Sequence, residues 1–225
     1  MQALKKSSIG FRNKNWGNLH KVKARQEAVF NMYREVMGQE SLPDSKQYWT
    51  LCGAHSSDNC ELPHALREGI ILTPRQFHGV DRERSVISHN SKAYPDASWH
   101  RGEFDDVIER VKGFNPGLIN LDTVNMVDRA CLLAAQVLFQ LVEDDISGCF
   151  FAINCLLNNP RQEPNKCREP DDLIRMMNEY PACSEVVGSA VSRGWKLHPY
   201  SYSYAGADKR SRSIMHSVYL YRMAK

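Results

Sequence analysis

The chain has 225 residues, enough to bury a full core as a single domain. Its formal net charge of +3 is unevenly placed: residues 1–25 carry Lys5, Lys6, Arg12, Lys14, Lys21, Lys23 and Arg25 with no acid, while the remaining 200 residues hold 22 basic and 26 acidic side chains. No apolar run approaches the ~20 residues of a membrane helix, the amino-terminal segment lacks the apolar stretch of a secretory signal, and seven cysteines, with Cys131, Cys149 and Cys155 inside apolar runs, suit packed thiols of a cytoplasmic protein better than a disulfide framework.

The basic segment reads either as a solvated terminus or as an arm that lies along phosphates, with Phe11 and Trp16 able to stack on unpaired bases. From His20 to Met37, Val22, Val29, Phe30, Tyr33, Val36 and Met37 recur at helical spacing, and Gly38 stops the helix. "YWTLC", 48–52, is aromatic and β-favouring, so it reads as a buried strand. "ELPHALREG", 61–69, is a short helix with Pro63 in its first turn. "FHGVD", 77–81, is a second strand, residues 83–93 a helix, and "ASWHRGEF" a third strand with its exit. "DDVIERVKG" is a helical turn or two, and "GLINLD", 117–122, a fourth strand.

Residues 127–145 are apolar around most of a helical circumference, as expected of a helix pressed on a sheet. "CFFAINCLL", 149–157, is too continuously apolar for a strand with one wet face. "PDDLIRMMNEY" and "SEVVGSAVSRG" read as helices. "WKLHPYSYSYAG" and "SIMHSVYLYRM" are alternating aromatic strands joined by "ADKRSRS", which predicts an antiparallel hairpin with a charged tip.

Strands alternating with helices predict an α/β fold whose mainly parallel sheet is covered on both faces. Ligands of such sheets bind at the carboxyl ends of the strands. Three of those ends carry an acid: Asp81, Glu103 and Asp122. Asp81 suits the paired hydroxyls of a ribose, although an acid here also suits the start of the next helix. Glu103 suits an adenine amino group, with Phe104 beside it to pack on the ring, although Glu103, Asp105 and Asp106 together also favour a helix start. Asp122 suits the reacting end of the ligand, or the cap of the helix that follows.

In order and spacing, these motifs resemble the class I S-adenosylmethionine-dependent methyltransferases over roughly residues 45–223. The resemblance implies a Rossmann-like three-layer sandwich with a seven-stranded, mostly parallel sheet and a carboxyl-terminal antiparallel hairpin. It divides the chain into a basic arm and helix, 1–44, and a methyltransferase-like domain, 45–225. It implies S-adenosylmethionine as cofactor, held by Cys52, Gly53, Ala54 and His55 of "TLCGAH" around its methionine part. Asp81 and Arg82 would meet the ribose, and Gly102, Glu103 and Phe104 of "RGEF" the adenine. "LDTVN", 121–125, would face the transferred methyl, with Asp122 as the base for a nitrogen or hydroxyl acceptor and His100 as a poorer candidate.

The first motif departs from the family's pattern. Thr50 stands where an acid is usual, and Gly53 is the sole glycine of the loop. Because a pyrophosphate needs glycines for close backbone approach and S-adenosylmethionine has no phosphate, the same departure argues against a dinucleotide. A second reading is a non-catalytic nucleoside- or nucleic-acid-binding module on the same fold. Cys52, His55, Cys60 and His64 have the ligand types of a zinc site without a usual spacing, and otherwise read as a strand end and polar loop positions.

Overall fold

The computed structural model describes residues 19–53, 61–123, 127–156, 175, 178–179, 181–205 and 212–224. In chain order the elements are α1 (Leu19–Met37), β1 (Gln47–Leu51), α2 (Glu61–Arg67), a 3-10 turn (Pro74–Gln76), β2 (Phe77–Asp81), α3 (Arg84–Ala93) and β3 (Ser98–Arg101). There follow α4 (Phe104–Arg110), β4 (Pro116–Thr123), α5 (Val127–Glu143), β5 (Cys149–Leu156), α6 (Pro181–Ser192), β6 (Lys196–Ala205) and β7 (Arg212–Arg222). The strands make one seven-stranded sheet in the order β3-β2-β1-β4-β5-β7-β6. β1 to β5 are mutually parallel, and β7 lies antiparallel between β5 and β6. This is the α/β sandwich with a terminal hairpin that the pattern predicts. Most of the predicted helix "PDDLIRMMNEY" and residues 207–211 of the predicted tip lie outside the described residues.

Burial on both faces explains why the central strands are so apolar. In β5, Phe150, Phe151, Ala152 and Ile153 are all buried, as the unbroken run "CFFAINCLL" requires. Alternate residues feed two cores. Trp49, Val80, Ile119, Leu121, Phe151 and Ile153 pack with α4, α5 and α6. Tyr48, Phe77, Leu118, Phe150, Ala152 and Tyr219 pack with α1 and α2. Cys52, Cys131, Cys149 and Cys183 are buried thiols outside any disulfide, and burial pushes the Cys149 thiol up to about 12.

Helix α1 packs against β1, β5 and β6. Gly38 takes φ +63° and closes the helix with its N–H on the Arg34 carbonyl, 2.9 Å. The chain then passes under the amino edge of the sheet, where Leu42 donates to the Ile70 carbonyl at 2.7 Å and lies against Gly117, the second residue of β4.

Gly79 in the sheet leaves no room for a side chain. A Cβ at Gly79, in the middle of β2, would sit 2.5 Å from Cζ3 of Trp99 and 3.0 Å from Sγ of Cys52. Trp99 is held there by its own Nε1–H, which donates to the Tyr94 carbonyl at 2.9 Å. Gly79→Ala is therefore expected to lower unfolding stability by about 1–3 kcal/mol in urea denaturation, the usual cost of overpacking. A change within about 0.5 kcal/mol would mean that Trp99 yields freely.

Candidate functional site

The parallel register brings the strand ends to one edge. Leu51 pairs with Val80, and the Cys52 N–H donates to the Val80 carbonyl at 2.9 Å. Asp81 pairs with Arg101, and the Gly102 N–H donates to the Asp81 carbonyl at 3.1 Å. Asp122 pairs with Asn154 on β5. Cys52, Gly53, Asp81, Gly102, Glu103 and Asp122 thus lie along the carboxyl edge, where strand order reverses between β1 and β4.

Asp81 is half-buried, and its Oδ1 accepts the Glu83 N–H at 2.8 Å. That bond orders the turn into α3, whose N-cap position belongs to Glu83. Burial raises the pKa of the Asp81 carboxyl. The N–H of Glu83 pulls it back down, the Glu83 charge raises it again, and the charge and N–H of Arg82 lower it. Arg82 reaches across to β3, its Nη1 donating to Oε1 of Glu103 at 3.3 Å. Glu103 holds the N-cap position of α4 but makes no side-chain cap bond; its carboxylate meets Arg82 instead. The carboxylates at 81 and 103 are therefore on adjacent strands at the same edge. Gly102 takes φ +151°, open to glycine, and a Cβ there would lie 3.0 Å from Nη2 of Arg110.

Phe104 is elsewhere. It is 1 % exposed and edge-on to Trp49, ring centroids 6.2 Å apart, inside the core beneath α4. As the first residue of a helix laid on the sheet it turns inward, so its ring is a core element and not a surface of the edge.

Asp122 is buried and lies within β4. Thr123 after it is still in the strand, so Asp122 does not take a helix N-cap position. His100 stands on β3, three strands from β4, about 14 Å at ~4.8 Å per strand. It cannot serve a substrate at Asp122. It pairs instead with His78, Nδ1 of His78 to Nε2 of His100 at 3.1 Å, the two rings 7° from coplanar. Both stack on the Trp49 indole, centroids 4.3 and 5.0 Å away. Cys52 is buried, and Ala54, His55 and Cys60 lie outside the described residues. His64 meets the Arg67 guanidinium. Among the described residues, no three His, Cys, Asp or Glu side chains are arranged for a metal.

A buried polar network beneath the edge escaped the sequence reading. Tyr48 donates its hydroxyl to Oε2 of Glu61 at 2.8 Å, and Nδ2 of Asn120 donates to Oε1 of Glu61 at 3.3 Å. Nδ2 of Asn154 donates to Oδ1 of Asn120 at 2.6 Å and to the Leu121 carbonyl at 3.3 Å. Glu61, Asn120 and Asn154 are 4 %, 0 % and 0 % exposed. The signal was present: an amide inside an apolar strand buried on both faces must find partners, and "GLINLD" and "CFFAINCLL" each hold one.

No protein-family model matches the sequence, and no curated protein matches it. Solved structures do. The methyltransferase domain of a bacterial Hen1 protein (CtHen1-C) superposes with a TM-score of 0.50 at 12 % identity, covering 92 % of this chain and all of that one. A putative RNA methyltransferase from Pyrococcus horikoshii also gives 0.50 at 12 % identity, over 89 % of this chain and 84 % of that one. DesVI of Streptomyces venezuelae gives 0.49 at 10 % identity, over 90 % and 92 %. The chain has the class I S-adenosylmethionine-dependent methyltransferase-like fold.

Proposed function

We propose that the chain uses this fold for its usual purpose and moves a methyl group from S-adenosylmethionine to an acceptor. The observation that carries the reading is the half-buried Asp81 carboxylate at the edge of a reversing parallel sheet, one strand from Glu103 and two from Asp122. The residues present fit the cofactor. Asp81 accepts the ribose hydroxyls, and Glu103, steadied by Arg82, accepts from the adenine amino group. Glu61 offers a buried carboxylate next to β1 and β4, with Tyr48 and Asn120 donating to it. It suits the ammonium of the methionine part, a task left open by Thr50 in place of an acid. When bound, the cofactor supplies a methyl group on a sulfonium that is already a good leaving group, so the protein's work is in-line positioning. Asp122 holds the proton of a nitrogen or hydroxyl acceptor.

Calorimetric titration with S-adenosylmethionine and its demethylated product tests this, and pH sharpens it. Only the ionised Asp81 carboxyl accepts two hydroxyl hydrogens, and burial raises its pKa. Affinity is therefore expected to fall on acidification through a pH above the ordinary carboxylate range, and Asp81→Asn should bind weakly at every pH. The single-glycine loop after β1 favours one competing reading, a nucleoside-binding module without catalysis. No binding of either compound at millimolar concentration would leave that alternative standing.

A further inference from the structure

At the amino edge of the sheet, away from the candidate site, a lysine is held by neutral partners. Lys46 directly precedes β1 and is half-buried. Its Nζ donates to Oδ1 of Asn115, just before β4, and to the Ser147 carbonyl in the turn before β5, both at 2.7 Å. No carboxylate among the described residues pairs with it, and Asp145, the acid of the same turn, meets Arg222 at 2.6 Å. The surroundings fix this geometry. Nδ2 of Asn115 donates to the Ser45 carbonyl at 3.1 Å, which turns Oδ1 toward the lysine. The Asn115 backbone exchanges bonds with Gln47, its N–H donating to Oε1 at 3.0 Å and its carbonyl accepting the Gln47 N–H at 3.2 Å. The Lys46 N–H donates to the Pro43 carbonyl at 2.8 Å, and its carbonyl accepts from Nε2 of Gln76 at 3.3 Å. The aliphatic stem runs past two glycines. A Cβ at Gly117 would lie 2.9 Å from Cβ of Lys46, and one at Gly148 would lie 3.7 Å from its Cε.

This cradle fits the neutral amine. An ammonium has three N–H donors and no lone pair, whereas a neutral amine has two donors and one lone pair. Two oxygens accept here, so both hydrogens of the neutral form are engaged and its lone pair points away from them. Burial lowers the Lys46 pKa in the same sense, with Cys149 on β5 acting the other way. A desolvated lysine of this kind is a nucleophile. The two acceptors also select the product. An imine would keep no N–H and strand both oxygens. A carbamate would keep one N–H but bring a negative charge beside them. An amide keeps one N–H for one oxygen and adds no charge.

We propose that Lys46 is an acylation site, whose side-chain nitrogen takes the acyl group of an activated carboxyl compound, an acyl phosphate or an acyl thioester. The nitrogen lone pair bonds to the acyl carbon. The carbon–oxygen or carbon–sulfur bond breaks with its electron pair on the departing phosphate or thiolate, and one amine hydrogen leaves to solvent as a proton. This goes beyond the methyl-transfer reading and does not depend on it.

The test is acetylation of the full chain by acetyl phosphate and, separately, by S-acetyl-N-acetylcysteamine, with digestion and mass spectrometry to follow each lysine. Near pH 7, Lys46 should acetylate about fivefold faster or more than the exposed Lys92 and Lys112 with at least one donor, and that donor names the source. The ratio should shrink toward ~pH 10, where the exposed amines lose their protons as well. Asn115→Asp keeps an oxygen in place and adds a charge that favours the ammonium. It should bring Lys46 down to the rate of Lys92, with circular dichroism as the folding control. The pH series on the unaltered chain needs no variant and stands even if that one misfolds. Acetylation of Lys46 no faster than that of Lys92 and Lys112 with both donors, a ratio unchanged by pH, or a folded Asn115→Asp that still reacts fast would overturn the proposal.

Discussion

Asp81→Ala is expected to weaken S-adenosylmethionine binding about 100-fold. A carboxylate that accepts two ribose hydroxyls makes charge-assisted hydrogen bonds of ~1.5–3 kcal/mol each, partly offset by the burial that disfavours its charge. Stability should change little, since the one structural bond lost is the Glu83 N–H contact at the start of α3. Calorimetry on the variant, with circular dichroism as the folding control, reads both. Affinity within threefold of the parent would remove Asp81 from the ribose site whatever the activity. Asp81→Asn separates the charge from the geometry, because the amide keeps one acceptor oxygen and loses the negative charge.

Acid should destabilise the fold through the histidine pair on Trp49. Burial and the neighbouring His100 depress His78 to about 3, and burial lowers His100 as well. Below the ordinary histidine value near 6.5 the unfolded chain takes up protons that the folded chain refuses. The stability these groups contribute is therefore complete above pH 6.5 and is lost as pH falls toward 3. At ~1.4 kcal/mol per pH unit for one such group, His78 alone accounts for about 3 kcal/mol by pH 4. Urea denaturation between pH 7 and pH 4 measures the slope, and His78→Phe, which keeps a ring on the indole, should flatten it. The same slope in the variant would assign the acid loss to carboxylates. The pair has no titratable neighbour of opposite sign among the side chains stacked against it: Trp49 lies beneath both rings, and Phe104 and Phe114 meet the indole edge-on.

How much of this was legible depends on how far apart in the chain the cooperating residues lie. Asp81, Glu103 and Asp122 were legible because a parallel sheet puts all its carboxyl ends on one edge, and the end of an apolar run marks the end of a strand. The hairpin was legible from alternation alone. The network of Tyr48, Glu61, Asn120 and Asn154 was not, because it needs the register between β1, β4 and β5, and local pattern is silent on register. His78 and His100 meet for the same reason, through the pairing of Val80 with His100. Phe104 was misjudged because strand ends were treated as if every side chain there faced the ligand. A helix that starts immediately after the strand instead turns its first residue into the core.

The insertion of β7 between β5 and β6 bears on how the chain is assembled. β6 is synthesised before β7 yet has no partner in the sheet except β7, so it waits, unpaired, until the last strand emerges. β7 must then find β5 across more than fifty intervening residues and accept β6 on its other side, a pair of long-range closures that slows folding. Its far end is clamped by Arg222, which donates to Asp145 at 2.6 Å and to the Ile146 carbonyl at 3.2 Å at the turn before β5. Nascent chains stalled before residue 212 would expose the edge of β5 and a free aromatic ribbon. Those are the species that a chaperone would be needed to shield.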